Sequence, residues 1–146
     1  MRAITDKIEV NVPVEDLFNT LIKPSEIAQW WKAKSVIVLP QKNGIWVGTW
    51  GDSIDNPDYI VSARILRFEP PSTMLLGNYQ YYSKDGELPF EADIQTEFVV
   101  EPTAVGARLT VTQTGFPDSS DADEYVQGCE AGWRTTLEGI ETLFCD

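Results

Sequence analysis

One long amphipathic helix closes this chain, and almost everything between Ser35 and Gly115 reads as strand. A β-rich stretch followed by a single helix leaves few architectures, because the apolar stripe of the helix must be buried against the sheet. The helix is expected over Asp121–Phe144. Its apolar stripe is Val126, Cys129, Trp133, Leu137, Ile140 and Phe144, spaced three or four apart, with Glu130, Arg134, Glu138 and Glu141 on the other side. Asp121 reads as its N-cap, with Glu124 three residues on as in a capping box.

Ahead of it, the period changes. Ile4 to Val12 alternates as a half-buried strand, and Val14, Leu17, Phe18 and Leu21 then fall at helical spacing. Pro24 opens a second short helix that ends at Trp30-Trp31. Strands are expected at Ser35–Leu39, Gly44–Gly51, Tyr59–Phe68, Thr73–Tyr82, Glu91–Glu101 and Ala107–Gly115, divided by Pro, Gly, Asn and Asp clusters at meander spacing. Ala92, Ile94, Thr96, Phe98 and Val100 share one face, as do Ala107, Leu109, Val111 and Gln113, so Gln113 is a polar group on an inward face. With 146 residues and no repeat or linker, one domain over residues 1–146 is the expectation.

Composition removes whole classes of chemistry. There is no histidine, hence no Ser-His-Asp or Cys-His catalysis and no histidine-ligated metal. Cys129 and Cys145 lie about 24 Å apart along a helix, beyond disulfide reach, which suits a reducing compartment. A net charge of −12 argues against nucleic acid as a partner. The charge is uneven: the first 50 residues hold six Lys/Arg against five Asp/Glu, the remainder five against eighteen. The acidic part reads as a solvated face or as a docking surface for a basic protein. No apolar run approaches the length of a membrane span, and the start carries no leader-like apolar region, so a cytoplasmic location is expected. No metal or cofactor is implied.

Two features point to a site. Gly128, Gly132 and Gly139 fall close together on the terminal helix beside the apolar stripe, each costing about 1 kcal/mol relative to Ala. Close packing on the sheet or open space for a ligand would offset that cost. The second feature is aromatic. Trp46 with Trp50, and Tyr79 with Tyr81, point to shared sides of their strands, and buried Trp and Tyr need partners for their polar atoms.

Several segments together resemble the helix-grip fold of the START-like (SRPBCC) superfamily, an α+β fold. They are Ile8-Glu9-Val10-Asn11-Val12-Pro13 with Val14-Glu15-Asp16-Leu17-Phe18, Lys23-Pro24-Ser25-Glu26-Ile27-Ala28-Gln29-Trp30-Trp31, Phe68-Glu69-Pro70-Pro71, and Gly132-Trp133 with Leu137. The branch it is most similar to is that of the C-terminal domain of the Hsp90 ATPase activator. The pattern departs at Gly128-Cys129, where some relatives carry a polar or His residue, and at Ala63, where Gly is common. The resemblance implies a curved antiparallel sheet of about seven strands, two short helices after the first strand, and a cavity for an apolar molecule against the terminal helix. Expected ligand-binding residues are Trp31, Trp46, Trp50, Tyr59, Tyr79, Tyr81, Phe98, Gln113, Phe116 and Trp133. Non-catalytic binding of a small hydrophobic molecule is the leading expectation. A protein-interaction module of the Hsp90-activator kind and a polyketide-cyclase-like enzyme are the alternatives.

Overall fold

The computed structural model describes residues 2–86 and 92–145. In chain order these form β1 (Arg2–Val10), α1 (Val14–Asn19), α2 (Pro24–Trp30), β2 (Ser35–Val38), β3 (Ile45–Trp50), β4 (Tyr59–Glu69), β5 (Thr73–Ser83), β6 (Gln95–Pro102), β7 (Ala107–Phe116) and α3 (Asp123–Leu143). One seven-stranded sheet has the order β1-β7-β6-β5-β4-β3-β2, with every neighbouring pair antiparallel. Strands β2 to β7 run as a meander, and β1 returns to pair with β7. With α3 laid across the sheet, this is the expected α+β helix-grip fold.

The alternating faces of the strands build the core. Ile8, Val10, Ala63, Ile65, Met74, Leu76, Phe98, Val100, Leu109 and Val111 point inward and are buried, and Leu137 and Ile140 of α3 close over them. Two helices as short as α1 and α2 would not persist alone. Leu17, Phe18, Leu21 and Ile27 are fully buried, so tertiary packing holds both in place.

Their ends are tied down by indoles. The final carbonyls of a helix have no intrahelical partner. Trp30 Nε1 donates to Thr20 O (3.0 Å), Trp46 Nε1 to Leu21 O (2.9 Å) and Trp50 Nε1 to Trp31 O (3.2 Å). The first two complete the end of α1; the third completes the end of α2. Much of the polar capacity of these tryptophans is therefore spent on architecture rather than on a ligand.

Most strand boundaries fall within one residue of expectation, and the larger shifts are in β1, β6 and α3. β1 runs Arg2–Val10 rather than Ile4–Val12. β6 starts at Gln95: Ile94 keeps its inward, buried position but lies outside the ladder, and Glu91 falls outside the described residues. Asp121 is not the N-cap of the last helix. It sits in a 3-10 turn, Ser120–Ala122, and α3 starts at Asp123 with Ala122 at the cap position and no side-chain cap. Arg2 takes over that end, donating to Pro117 O, Ser119 O and Asp123 Oδ1.

Two irregularities decide which residues face the helix. Between Ser62/Gln80 and Arg64/Gly77, β4 advances two residues while β5 advances three, and Asn78 takes a left-handed φ of +50°. This bulge switches the inward face of β5 from Met74 and Leu76 to Tyr79 and Tyr81. Among the described residues the pairing of β5 with β6 runs from Thr73/Val99 to Leu76/Thr96; beyond it Tyr79 stays packed against the core and bonded to Thr96, while Tyr81 is exposed.

Candidate functional site

A cavity of about 200 Å³ opens where the sheet parts from α3. Trp46 of β3, Val61 of β4, Leu76, Tyr79 and Tyr81 of β5, Thr96 and Phe98 of β6 and Gln113 of β7 form the sheet wall. Trp31 closes one end, and Tyr125, Cys129, Gly132, Trp133 and Thr136 form the helix wall. Tyr81 and Gly132 are exposed at the mouth, whereas Phe98 is fully buried at the floor.

The aromatic wall is continuous. Trp31 stands edge-on to Trp50 (4.5 Å) and tilted against Trp46 (4.9 Å); Trp46 meets Phe98 (6.5 Å), which stands edge-on to Trp133 (5.9 Å). Offset and edge-on contacts of this kind add about 0.5–1.5 kcal/mol each beyond burial. Gly48 makes room for it: a Cβ there would lie 2.8 Å from the Trp31 ring. On the other side Tyr79 and Tyr81 stack nearly parallel, 5.6 Å apart at 10°.

Two hydroxyl clusters interrupt the apolar surface. The fully buried Thr96 hydroxyl shares a 2.6 Å hydrogen bond with Tyr79 and accepts one from Gln113 Nε2 at 2.9 Å. Gln113 Oε1 is buried with no protein partner among the described residues, an arrangement that costs about 1–3 kcal/mol. Near the start of α3, the Tyr125 hydroxyl donates toward Tyr81 and Cys129. Burial is the largest influence on all four ionisable groups here, and it raises the pKa of Tyr79, Tyr81, Tyr125 and Cys129. Each stays neutral through the neutral range.

Of the expected residues, Trp31, Trp46, Tyr79, Tyr81, Phe98, Gln113 and Trp133 come together around the cavity. Trp50, Tyr59 and Phe116 are placed elsewhere. Trp50 braces Trp31 from behind and caps α2. Tyr59 lies at the solvent end of β4, where its hydroxyl donates to Asp85 Oδ2 at 2.8 Å. Phe116 is fully buried in a separate cluster with Ile4, Ile94, Ala122 and Val126. A second bulge, at Gly115, sends it there.

Val61, Leu76, Thr96, Tyr125, Cys129 and Thr136 line the cavity without having been expected to, and Gly132 joins them as one of the glycines for which open space was an alternative. A signal existed for those on α3, since Tyr125, Cys129, Gly132 and Thr136 recur at four, three and four residues, one turn-edge away from the Trp133 stripe. For Val61 and Leu76 nothing in the sequence separates them from plain core positions.

The three helix glycines divide between the two roles considered for them. A Cβ on Gly139 would lie 2.9 Å from Trp30 O, so this glycine lets α3 approach the end of α2. Gly128 and Gly132 have nothing within 4 Å of a built Cβ. Gly128→Ala is therefore expected to stabilise the protein by about 0.5–1 kcal/mol. Gly139→Ala should destabilise it despite the same propensity gain, and paired urea titrations would read the opposite signs.

An antiparallel sheet gripping one long helix, with an aromatic cavity between them, defines a START-like helix-grip protein. The chain belongs to the family described as Activator of Hsp90 ATPase homolog 1-like protein, whose model matches residues 11–144. A Mesorhizobium loti protein shares the fold with a TM-score of 0.77 and 21% identity, over 97% of this chain and 96% of that one. The Aha1 dimer of Colwellia psychrerythraea gives 0.74 at 12% identity, over 99% and 96%. DynU16, from the dynemicin biosynthetic locus, gives 0.74 at 16%, over 96% of this chain and 46% of its own. At these identities the likeness is one of fold. Among curated proteins none matches the chain. No helix among the described residues is long and apolar enough to cross a membrane.

Proposed function

We propose that this chain binds a small hydrophobic molecule in the cavity between the sheet and α3, with Trp31, Trp46, Tyr79, Tyr81, Phe98, Gln113 and Trp133 as contacts. The observation that carries this reading is the open space beside Gly132. Gly132 stands exposed at the mouth with nothing within 4 Å of a built Cβ, and the space there continues into the aromatic cavity. An apolar cavity of about 150 Å³ is enough for one benzene ring, so 200 Å³ takes a ring with substituents or a compact bicycle. Burying about 200 Å² of such a ligand contributes about 5 kcal/mol at about 25 cal/mol per Å². That contribution alone corresponds to about 0.2 mM, so after association costs dissociation constants of about 1 mM or weaker are expected for one-ring probes.

Cysteine labelling tests this directly. Cys145 is exposed, whereas Cys129 lines the cavity and its thiol pKa is raised by burial. A maleimide should modify Cys145 quickly and Cys129 slowly, and an occupant should slow Cys129 further without touching the Cys145 rate. Gly132→Leu, which puts a good helix former in the mouth, should abolish the protection. Protection that is equal at both cysteines, or that survives Gly132→Leu, rules this site out.

Family membership favours a second reading, an interaction module acting through the acidic surface. All but five of the 23 acidic residues lie after residue 50. Capture of a basic partner that fades as salt screens the surface would support it, and the cavity variant Gly132→Leu should leave that capture unchanged.

A further inference from the structure

Every polar group in the cavity wall is neutral, and the hydroxyls of Tyr79, Thr96 and Tyr125 and the amide nitrogen of Gln113 are committed to neighbours within the wall, while Gln113 Oε1 is buried without a partner among the described residues. The ionisable ones are Tyr79 and Tyr81 from β5 and Tyr125 and Cys129 from α3. The other elements contribute Trp, Phe, Val, Leu, Thr and Gln, with no Asp, Glu, Lys or Arg among the lining residues. Tyr79 and Gln113 are both bound to Thr96, and Tyr125 is directed at Tyr81 and Cys129. A charged guest would have to shed its water and find no counter-charge and few uncommitted donors, the costly case for a buried ion.

The rings do not compensate for a cation. A cationic guest needs ring faces turned toward one centre within about 6 Å. Here Tyr79 and Tyr81 lie nearly parallel with centres 5.6 Å apart, and Trp31 is flanked by Trp46 and Trp50. Phe98 and Trp133 meet edge-on.

We infer that the cavity selects an uncharged aromatic guest of one or two rings and rejects anionic and cationic analogues of the same shape. The inference rests on the binding reading above and deepens it by naming the ligand class. The wall's own tyrosines report the same preference, because burial already disfavours their phenolate forms.

The test uses the full chain and three matched probes at pH 7: 4-methylphenol, 4-methylbenzoate and protonated 4-methylbenzylamine. Binding is followed by the indole N–H resonances and by Cys129 protection. Titrations are run in about 0.5 M salt, where the screening length falls to about 4 Å and the net charge of −12 no longer sorts the probes at a distance. The phenol is expected to bind at least about tenfold more tightly than either ion, the factor that one pK unit of disfavour represents. 4-Nitrophenol, which ionises in the neutral range, should weaken about tenfold per pH unit above its own pKa. If the benzoate or the ammonium binds as tightly as the phenol in high salt, the binding site stands and the neutrality inference is overturned. A 4-nitrophenol affinity that is flat with pH overturns it as well. If no probe binds, 4-methylphenol included, the binding reading itself fails and takes this inference with it.

Discussion

Gly115→Ala is expected to lower stability by about 3–5 kcal/mol, seen as a fall of about 2 M in the urea midpoint. Gly115 sits at φ +93°, where an L side chain is strained, and a Cβ there would overlap the Asp93 carbonyl oxygen. That oxygen belongs to the segment entering β6, so the clash falls on backbone and no side chain can turn aside to relieve it. The same glycine sets register. Arg2 faces Phe116 and Ile4 faces Gln113, so β7 spends three residues where β1 spends two. This bulge ends the run of inward Ala107, Leu109 and Val111 at Gln113 and brings Phe116 inside instead. Alanine there must either flatten the bulge, turning Phe116 out of its cluster with Ile4, Ile94, Ala122 and Val126, or hold the strain. Gly132→Ala is the matched control: it adds the same methyl in open space and should not destabilise. A midpoint for Gly115→Ala within about 0.3 M of the parent would show that the bulge does not depend on glycine.

These bulges mark the boundary of what could be read from residues alone. Period-two patterning identified the strands and the inward faces of β6 and β7, since Thr96, Phe98, Val100, Leu109 and Val111 alternate with neighbours that are polar except for Val99. The apolar stripe of α3 was equally legible: Val126, Leu137 and Ile140 are buried as their spacing requires. Parity inside an irregular strand was not. In β5 the inward set passes from Met74 and Leu76 to Tyr79 and Tyr81 because Asn78 adopts a left-handed backbone, and asparagine does so only in some contexts. Nor does composition tell an indole that lines a cavity from one that caps a helix. Trp50 and Trp46 share a strand face, yet one closes α2 from behind while the other both caps α1 and lines the site. The glycines of α3 show the same limit. Spacing put all three near one edge, but only the position of Trp30 separates the packed Gly139 from the open Gly128 and Gly132.

Phe98→Ala is expected to cost about 3–5 kcal/mol and to change which guests the cavity accepts. Phe98 is fully buried at the junction of core and cavity, 6.5 Å from Trp46 and 5.9 Å from Trp133 between ring centres. Truncating it removes the edge-on partner of Trp133 and the floor of the site together. Because the vacated space joins a cavity already open at Tyr81 and Gly132, water can enter, which places the loss toward the lower end of that range. The enclosed Leu137, which has no such outlet, sets the comparison: Leu137→Ala should cost about as much despite its smaller side chain. Two further readouts separate a cavity floor from an ordinary core residue. Tryptophan emission should shift to the red in Phe98→Ala as Trp46 and Trp133 gain water, and should stay in place for Leu137→Ala at matched folded fraction. Two-ring neutral probes should gain affinity relative to one-ring probes in Phe98→Ala, since the guest can occupy the volume the phenyl group left. An unchanged ratio of one-ring to two-ring affinities would mean that guests do not reach the floor, and would confine the site to the mouth between Tyr81 and Gly132.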